Sequence, residues 1–457
     1  MNKLTSGLLI WLVIPLACWA QAVANSEFRI WTTVDGKKSS VRLKLISKDN
    51  DSVRLKREDN GREITLPLSN LSTEDRRFLA ANTSRNQSVT STASQENWPC
   101  FRGPNRNGIS NARLDLLNEP KQLWKFSELG SRYRGSAAIV DGKLFINGGR
   151  VNRAEPLLYC LDANTGELIW KVPGGRTHST PVVQDGRIFT VDDRNHARCF
   201  DSKTGDLIWK SEPLPESSPG REYGHAGSPL IHDDLLILNY GGGVALHVSD
   251  GTVVWQHEGF AGLATPVAFN HRGTPAVAIF GGDRLIARTA QTGDSLWSIE
   301  REAGHGVNAC DPIFIENDTK VFVSSSYAKS RAMYDLTGDT PEEIWSMGAG
   351  SSYSTGIYVD GNLYGMAGGF GRINLKTGRR ETRGPGAASV LRIDGKWVFL
   401  DGGGKLEIGT LENGKFDSQM ETQVLDGQQT WNTPAYWQGK LYVRGEQGSL
   451  VCLQIGK

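Results

Sequence analysis

Three sets of side chains in this sequence are of types that do chemistry. The first stands just ahead of strand starts: His178 three residues before Pro181 and His225 four before Pro229, with Arg134, Tyr353 and Trp431 at comparable places. Imidazole, guanidinium, phenol and indole groups brought together there would either rim a pocket and contact a ligand or hydrogen-bond the loops between blades. The second set is Cys100, Cys160, Cys199, Cys310 and Cys452. It is odd in number, with no Cys-x-x-Cys pair and no adjacent pair, which argues against a zinc site or a disulfide framework. Cys160, Cys199 and Cys452 fall at a repeat position that Ala245, Ala287 and Ala332 occupy elsewhere, a small buried slot. Cys100 and Cys310 fit no slot, so a disulfide between them stays open. The third set, Asp192-Asp193 and Asp233-Asp234, reads as strand-end turns rather than calcium ligands. No serine, cysteine or aspartate stands at a recognisable triad spacing, so no catalytic, cofactor or metal residue is assigned.

These side chains must be positioned by a repeat. From Trp98 onward one unit recurs: a Ser/Thr-Pro strand start, an Asp-Gly turn, an apolar strand, then Asp-x-x-Thr-Gly-x-x-x-Trp. Its tails end at Trp170, Trp209, Trp255, Trp297 and Trp345, spaced 39 to 48 residues apart, and a degenerate tail stands at Leu375-Lys376-Thr377-Gly378. That is the span of one four-stranded propeller blade. Each Thr-Gly supplies a tight turn between outer strands, and the following indole is expected to lie flat between neighbouring blades. Strand starts at Ser179-Thr180-Pro181, Gly227-Ser228-Pro229, Ala264-Thr265-Pro266, Cys310-Asp311-Pro312, Tyr353-Ser354-Thr355 and Asn432-Thr433-Pro434, with Ser136-Ala137-Ala138 and Ala388-Ser389-Val390, bring the count to eight. The last unit, Trp431 to Ile455, lacks a tail, while Gln122-Leu123-Trp124-Lys125-Phe126 is a tail without a blade. Joining the two closes the ring and removes exposed strand edges. Trp124, Trp170, Trp209, Trp255, Trp297 and Trp345 are therefore read as interblade wedges.

Ahead of the repeat, residues 25–81 alternate apolar and polar residues in Val41 to Leu45 and Val53 to Lys56, with turns at Asp35-Gly36 and Asn60-Gly61. Ser72 caps a short helix beginning near Thr73, with Asp75 closing the box and Phe78 and Leu79 facing a small barrel. Residues 82–97 are almost all Ser, Thr, Asn, Gln and Ala and read as a flexible linker. Residues 1–24 carry Lys3, an apolar run from Leu8 to Ala20, and Ala22 and Ala24 at a cleavage-type site, which reads as an export signal. Cys18 is the competing lipid-anchor site, against the proline at Pro15. Removing that segment takes Lys3 and no acid from 51 basic and 50 acidic residues, leaving a balanced chain. No basic surplus exists for nucleic acid or an anionic membrane, and no later run resembles a spanning helix.

The segment from Arg29-Ile30-Trp31-Thr32 to Leu71-Ser72-Thr73-Glu74-Asp75 resembles the SH3-like first homology domain of Sla-type adaptors, which implies short-peptide binding. The repeat, the Trp98-Pro99-Cys100-Phe101-Arg102-Gly103-Pro104 entry and Leu441-Tyr442-Val443-Arg444 resemble the PQQ-like propeller family that includes the assembly factor BamB and quinoprotein alcohol dehydrogenases. The expected fold is all-β: an SH3-like barrel followed, over residues 98–457, by an eight-bladed propeller. The expected role is a noncatalytic, monomeric, exported module that binds a protein or peptide partner in the periplasm or cell envelope. The resemblance also implies an enzyme alternative, in which PQQ and calcium sit at the ring's centre against a disulfide of adjacent cysteines. This chain lacks that pair. A carbohydrate-binding propeller is the third reading.

Overall fold

The structure, a computed structural model, describes residues 21–22, 30–35, 37–48, 52–60, 62–72, 75, 96–132, 134–149, 156–215, 226–325, 330–348, 350–351, 353–367, 369–412 and 414–457. Two compact units emerge, residues 1–92 and 93–457.

In the amino-terminal unit, Gln21–Ala22, Leu43–Lys48, Ser52–Arg57 and Glu63–Pro67 form one antiparallel sheet in chain order. Period-two alternation buries Val53 and Leu55 on the face that also receives Trp31, Leu43 and Leu71. The Trp31 indole N–H donates to the Leu43 carbonyl (2.9 Å). Ser72 and Asp75 make half of the expected capping box: the Asp75 N–H donates to Ser72 Oγ (3.1 Å), but the Asp75 carboxylate accepts from the Thr32 N–H (2.6 Å) and the Ser72 hydroxyl (3.2 Å), because the Ser72 N–H is taken by Thr32 O (2.8 Å). Phe78, Leu79 and the helix expected to carry them lie outside the described residues, as does most of the segment read as a linker.

The second unit is an eight-bladed β-propeller. Five blades are regular four-stranded antiparallel sheets in chain order, beginning at Ala138–Val140, Val182–Gln184, Leu230–His232, Val267–His271 and Ile313–Ile315. Blade 6 has three strands, Ile357–Val359, Asn362–Met366 and Phe370–Ile373. Blade 7 runs from Ser389–Ile393 to Lys415–Gln423 and gains Ile109–Ser110 as a fifth, parallel strand. Blade 8 is composite: Ala435–Trp437, Lys440–Arg444 and Leu450–Gly456 are completed by Leu116–Phe126, with Cys452 opposite Trp124. The two ends of the repeat region thus share one sheet, which leaves the ring no open seam.

The junctions follow one pattern. The indoles of Trp124, Trp170, Trp209, Trp255 and Trp345 cover the turn glycines Gly166, Gly205, Gly251, Gly293 and Gly378 of the next blade. Four of them also donate N–H to that blade's turn: Trp124 to Ala163 O (3.2 Å), Trp209 to Val248 O (3.1 Å), Trp255 to Ala290 O (3.0 Å) and Trp345 to Leu375 O (2.7 Å). Glycine is required beneath them. At Gly293 φ is +74°, and a Cβ would sit 2.6 Å from the Trp255 ring. Trp297 is buried without such a seat, packed against Phe269 (5.9 Å) within an apolar cluster that includes Tyr334 and Leu336. Among the described residues, the Trp170 and Trp297 nitrogens have no acceptor.

The small slot lies opposite each wedge: Cys160, Cys199, Ala245, Ala287 and Cys452 pair with Trp170, Trp209, Trp255, Trp297 and Trp124. In blade 5 the slot does not fall at Ala332, as the repeat predicts, but one residue later. Met333 faces Trp345, and Ala332 faces Ser346, because that blade's last turn departs from the Thr-Gly-x-x-x-Trp spacing. Blades 6 and 7, which carry no wedge, are sealed instead by Tyr364, Phe370, Trp397 and Phe399, with ring centroids of 4.7 to 5.4 Å between contacting pairs.

Trp297→Ala is expected to cost about 3 to 5 kcal/mol in urea unfolding, the range for a buried aromatic. Gly293→Ala should destabilise more than Gly361→Ala, which shares the left-handed backbone (φ +73°) but meets nothing within 4 Å. Equal losses would mean the indole seat contributes little.

Candidate functional site

Eight strand starts meet at the ring's centre, and their polar groups are tied blade to blade. The Ser136 N–H donates to Thr180 Oγ1 (3.0 Å), Thr180 N–H to Ser228 Oγ (3.0 Å) and Ser228 N–H to Thr265 Oγ1 (3.3 Å). Thr265 N–H then donates to Asp311 Oδ1 (2.8 Å), Asp311 N–H to Thr355 Oγ1 (2.9 Å), and across the seam Ser136 Oγ donates to Thr433 O (2.6 Å). A short side-chain acceptor is needed at Thr180, Ser228, Thr265, Asp311 and Thr355, while Ser136 donates its hydroxyl to the Thr433 backbone carbonyl. The proline after most of them fixes φ and lacks an N–H, which suits the first residue of an inner strand with no further ladder partner.

Two residues before each belt position, a second ring faces the channel: Arg134, His178, Ala226, Leu263, Ala309, Tyr353 and Trp431 all line one cavity of about 150 Å³. The wall is two-sided. Blades 3 to 5 give Ala226, Leu263 and Ala309, and blades 6, 8, 1 and 2 give the aromatic and basic groups. Arg134, His178, Tyr353 and Trp431, the residues expected at a pocket rim, thus meet in one wall. His225 lies outside the described residues.

The segment from Trp98 to Gly108 crosses one end of this channel. Trp98 exchanges backbone hydrogen bonds with Ile139 of blade 1, Pro99 O accepts from Val183 N–H of blade 2, and Gly108 O accepts from Arg392 N–H of blade 7. Arg102 holds φ at +62°, and its Nη2 donates to Gly356 O at the entry to blade 6 (2.6 Å) and to Asn107 O (2.8 Å). Gly103 must be glycine: φ is +83°, and a Cβ would sit 2.8 Å from the Trp98 ring. Phe101, between these anchors, enters the cavity lining.

The electrostatics of the wall are set by burial. Arg134 pairs with Glu446 (2.9 Å) and stacks over Trp431 (5.3 Å to the centroid), whose indole N–H donates to Glu446 (3.2 Å). Glu446 carried no signal in the repeat, because it belongs to a loop of blade 8 alone. Burial, then the charges of Arg134 and Arg444, pushes His178 down to about 4, so its imidazole is neutral at physiological pH. Arg444 is buried, with Nη1 on Gly135 O (3.0 Å) and Asn147 O (2.7 Å). Its Nε and Nη2 have no partner among the described residues, and burial lowers its pKa to about 10.

Asp311 was missed as a site residue, although one observation could have found it: it is the only carboxylate at a Ser/Thr belt position. It is 7% exposed, and burial raises its pKa to about 6, opposed by the charges of Arg102 and Arg106 and by the Thr265 N–H. Among the described residues no cation stands within ion-pair distance of it.

The seat implied for PQQ and calcium does not fit these residues. The cavity wall supplies one carboxylate, and Cys100 and Cys310 are separate free thiols donating to Gly103 O (3.1 Å) and Ser351 O (3.6 Å). Burial raises the Cys310 pKa to about 12, which leaves it a protonated, unreactive thiol. The same holds for Cys160, Cys199 and Cys452.

Comparison with known proteins places the propeller in context. The family model described as outer membrane protein assembly factor BamB matches residues 110–262 and 250–383, which together span more than half of the chain. No curated protein matches the sequence significantly. Among solved structures, BamB from Moraxella catarrhalis superposes with a TM-score of 0.52 at 15% identity, over 74% of this chain and 100% of that one. Quinohemoprotein alcohol dehydrogenase from Comamonas testosteroni gives 0.58 at 12% identity, over 83% and 84%. Sqt1 of Saccharomyces cerevisiae gives 0.55 at 12%, over 74% and 100%. Identities this low report a common fold.

An acid whose pKa is raised on folding loses stability as pH climbs from its unfolded value toward its folded one. Asp311 therefore costs the fold up to about 3 kcal/mol once pH exceeds about 6. Asp311→Asn, which keeps the oxygen that accepts the Thr265 N–H, should raise the urea midpoint at about pH 8 and leave it nearly unchanged near pH 4. An equal shift at both would mean that the carboxyl is not held in this way.

Proposed function

The chain belongs to the family described as outer membrane protein assembly factor BamB, and from that premise we propose that it is a noncatalytic, protein-binding propeller of the bacterial cell envelope. The observation that carries this reading is on the outer rim. The last strands of blades 1, 2 and 3, Leu168–Pro173, Leu207–Lys210 and Val253–Gln256, each present a sheet edge. On those edges Leu168, Ile169, Leu207, Ile208, Val253 and Val254 are 38 to 53% exposed. These paired aliphatic residues directly precede Trp170, Trp209 and Trp255, the first half-buried and the other two buried, so they recur from blade to blade on a rigid frame. Free strand edges flanked by apolar side chains are the surface to which an extended segment of another protein adds.

The amino-terminal unit fits this role as a small SH3-like barrel that binds a peptide segment, linked to the propeller through residues 82–97, with residues 1–24 directing export. No helix among the described residues is long and apolar enough to cross a membrane. In this reading the channel holds no quinone, since its residues do not form the seat, and a carbohydrate ligand has no specific support.

Crosslinking in cell envelopes should recover discrete protein partners of the full chain, and the double variant Ile208→Lys with Val254→Lys should lose them with an unchanged melting temperature. Repeating the capture without residues 25–97 apportions binding between the two units. Recovery of the chain alone, or stoichiometric PQQ uptake with dye reduction by alcohols, would overturn the reading.

A further inference from the structure

The channel wall presents a carboxylate that makes no ion pair among the described residues, Arg102 and Arg106 acting on it only from beyond ion-pair distance. Arg134 is matched by Glu446 at 2.9 Å, and His178 is neutral. What remains is the Asp311 carboxylate, more than nine-tenths buried, in a cavity it shares with the rings of Phe101, Tyr353 and Trp431. Tyr353 and Trp431 meet at 88° with centroids 5.0 Å apart, a corner of two perpendicular rings. Trp431 already holds one cation, the Arg134 guanidinium. Aromatic rings around a carboxylate recognise positive charge, because ring faces attract a cation and the carboxylate supplies the counter-ion. The opposite wall of Leu263 and Ala309 offers apolar surface to an alkyl group. An anion would have to face Asp311 across a space of about 150 Å³, and would gain nothing from the aromatic corner.

We propose that the central channel of this propeller is a receptor site for a small organic ammonium group, with Asp311 as counter-ion and Phe101, Tyr353 and Trp431 as its aromatic wall. The site is independent of the outer sheet edges. The group comes either from a free alkylamine or from a lysine side chain of a partner protein, and the recognition chemistry is the same for both.

The groups facing Asp311 decide the pH dependence. They are Arg102 and Arg106 on the crossing segment, Cys310 beside it, Thr265 of blade 4 and Thr355 of blade 6. Asp311 is the one that titrates near neutrality, at about 6, while His178 titrates well below, at about 4. Binding requires ionised Asp311, so affinity should fall as pH is lowered through about 6.

Titration calorimetry and thermal shift on the full chain test this with four probes: choline, its uncharged isostere dimethylbutanol, butylammonium, and a lysine-containing tripeptide. Choline and butylammonium should bind and dimethylbutanol should not. Asp311→Asn should weaken binding by about tenfold or more. Ala309→Phe, which fills the apolar wall and leaves the carboxylate in place, should abolish it even if the first variant folds poorly. Binding of the tripeptide alone would assign the group to a partner's lysine. Equal binding of dimethylbutanol and choline, full affinity in Asp311→Asn, or no heat with any amine or with the tripeptide would overturn the proposal.

Discussion

An indole laid on a glycine is the contact from which the rest of this propeller follows. Each wedge removes about 150 to 250 Å² of ring from water, worth about 4 to 6 kcal/mol as an upper estimate. That energy is available only if the next blade offers a surface without a side chain. The turn glycines at positions 166, 205, 251, 293 and 378 supply it. Where the indole N–H also finds the neighbouring turn carbonyl, the contact gains direction and fixes the rotation between blades. Blades set at a constant rotation bring their first strands to a common centre, and only then can Ser136, Thr180, Ser228, Thr265, Asp311 and Thr355 pass hydrogen bonds from one to the next.

The channel is therefore a product of the junctions. The belt residues are committed to holding blades together, so variety in the wall is confined to the ring two residues earlier. There the chain places alanine and leucine on one side and arginine, histidine, tyrosine and tryptophan on the other. Asp311 is the exception, a belt residue that does the structural work of a threonine while bringing a buried charge to the cavity. Holding it costs stability near neutral pH, the expected mark of a group kept for something other than the fold.

Periodicity decided what could be read from the sequence. The wedge spacing and the strand starts repeat, so eight blades and the joining of Trp124 to the final unit were legible without coordinates. That blade 6 has three strands and that blade 7 gains a fifth were not, because the degenerate Thr377-Gly378 tail of blade 6 is followed by no indole, blade 7 has no such tail, and an aromatic cluster around Trp397 replaces the usual wedge. The slot expected at Ala332 is held by Met333, one residue later, where the turn departs from the repeat. Arg134, His178, Tyr353 and Trp431 could be singled out because they stand at equivalent places. Glu446 could not, since its contact with Arg134 and Trp431 spans the seam of the ring. Nor could the crossing of the channel by Trp98 to Gly108, which depends on contacts with blades far apart in the chain.

The account rests on ring closure through the shared eighth blade, and amide hydrogen exchange at Leu450 and Cys452, which face the Leu116–Phe126 strand opposite Phe126 and Trp124, measures it most directly. In the intact chain these amides should exchange as slowly as those of the inner strands of blades 2 to 4, and Trp124→Ala should speed exchange in both terminal strands together. Fast exchange in the unaltered protein, at the rate of a frayed edge strand, would show that the ring is open and contradict the account.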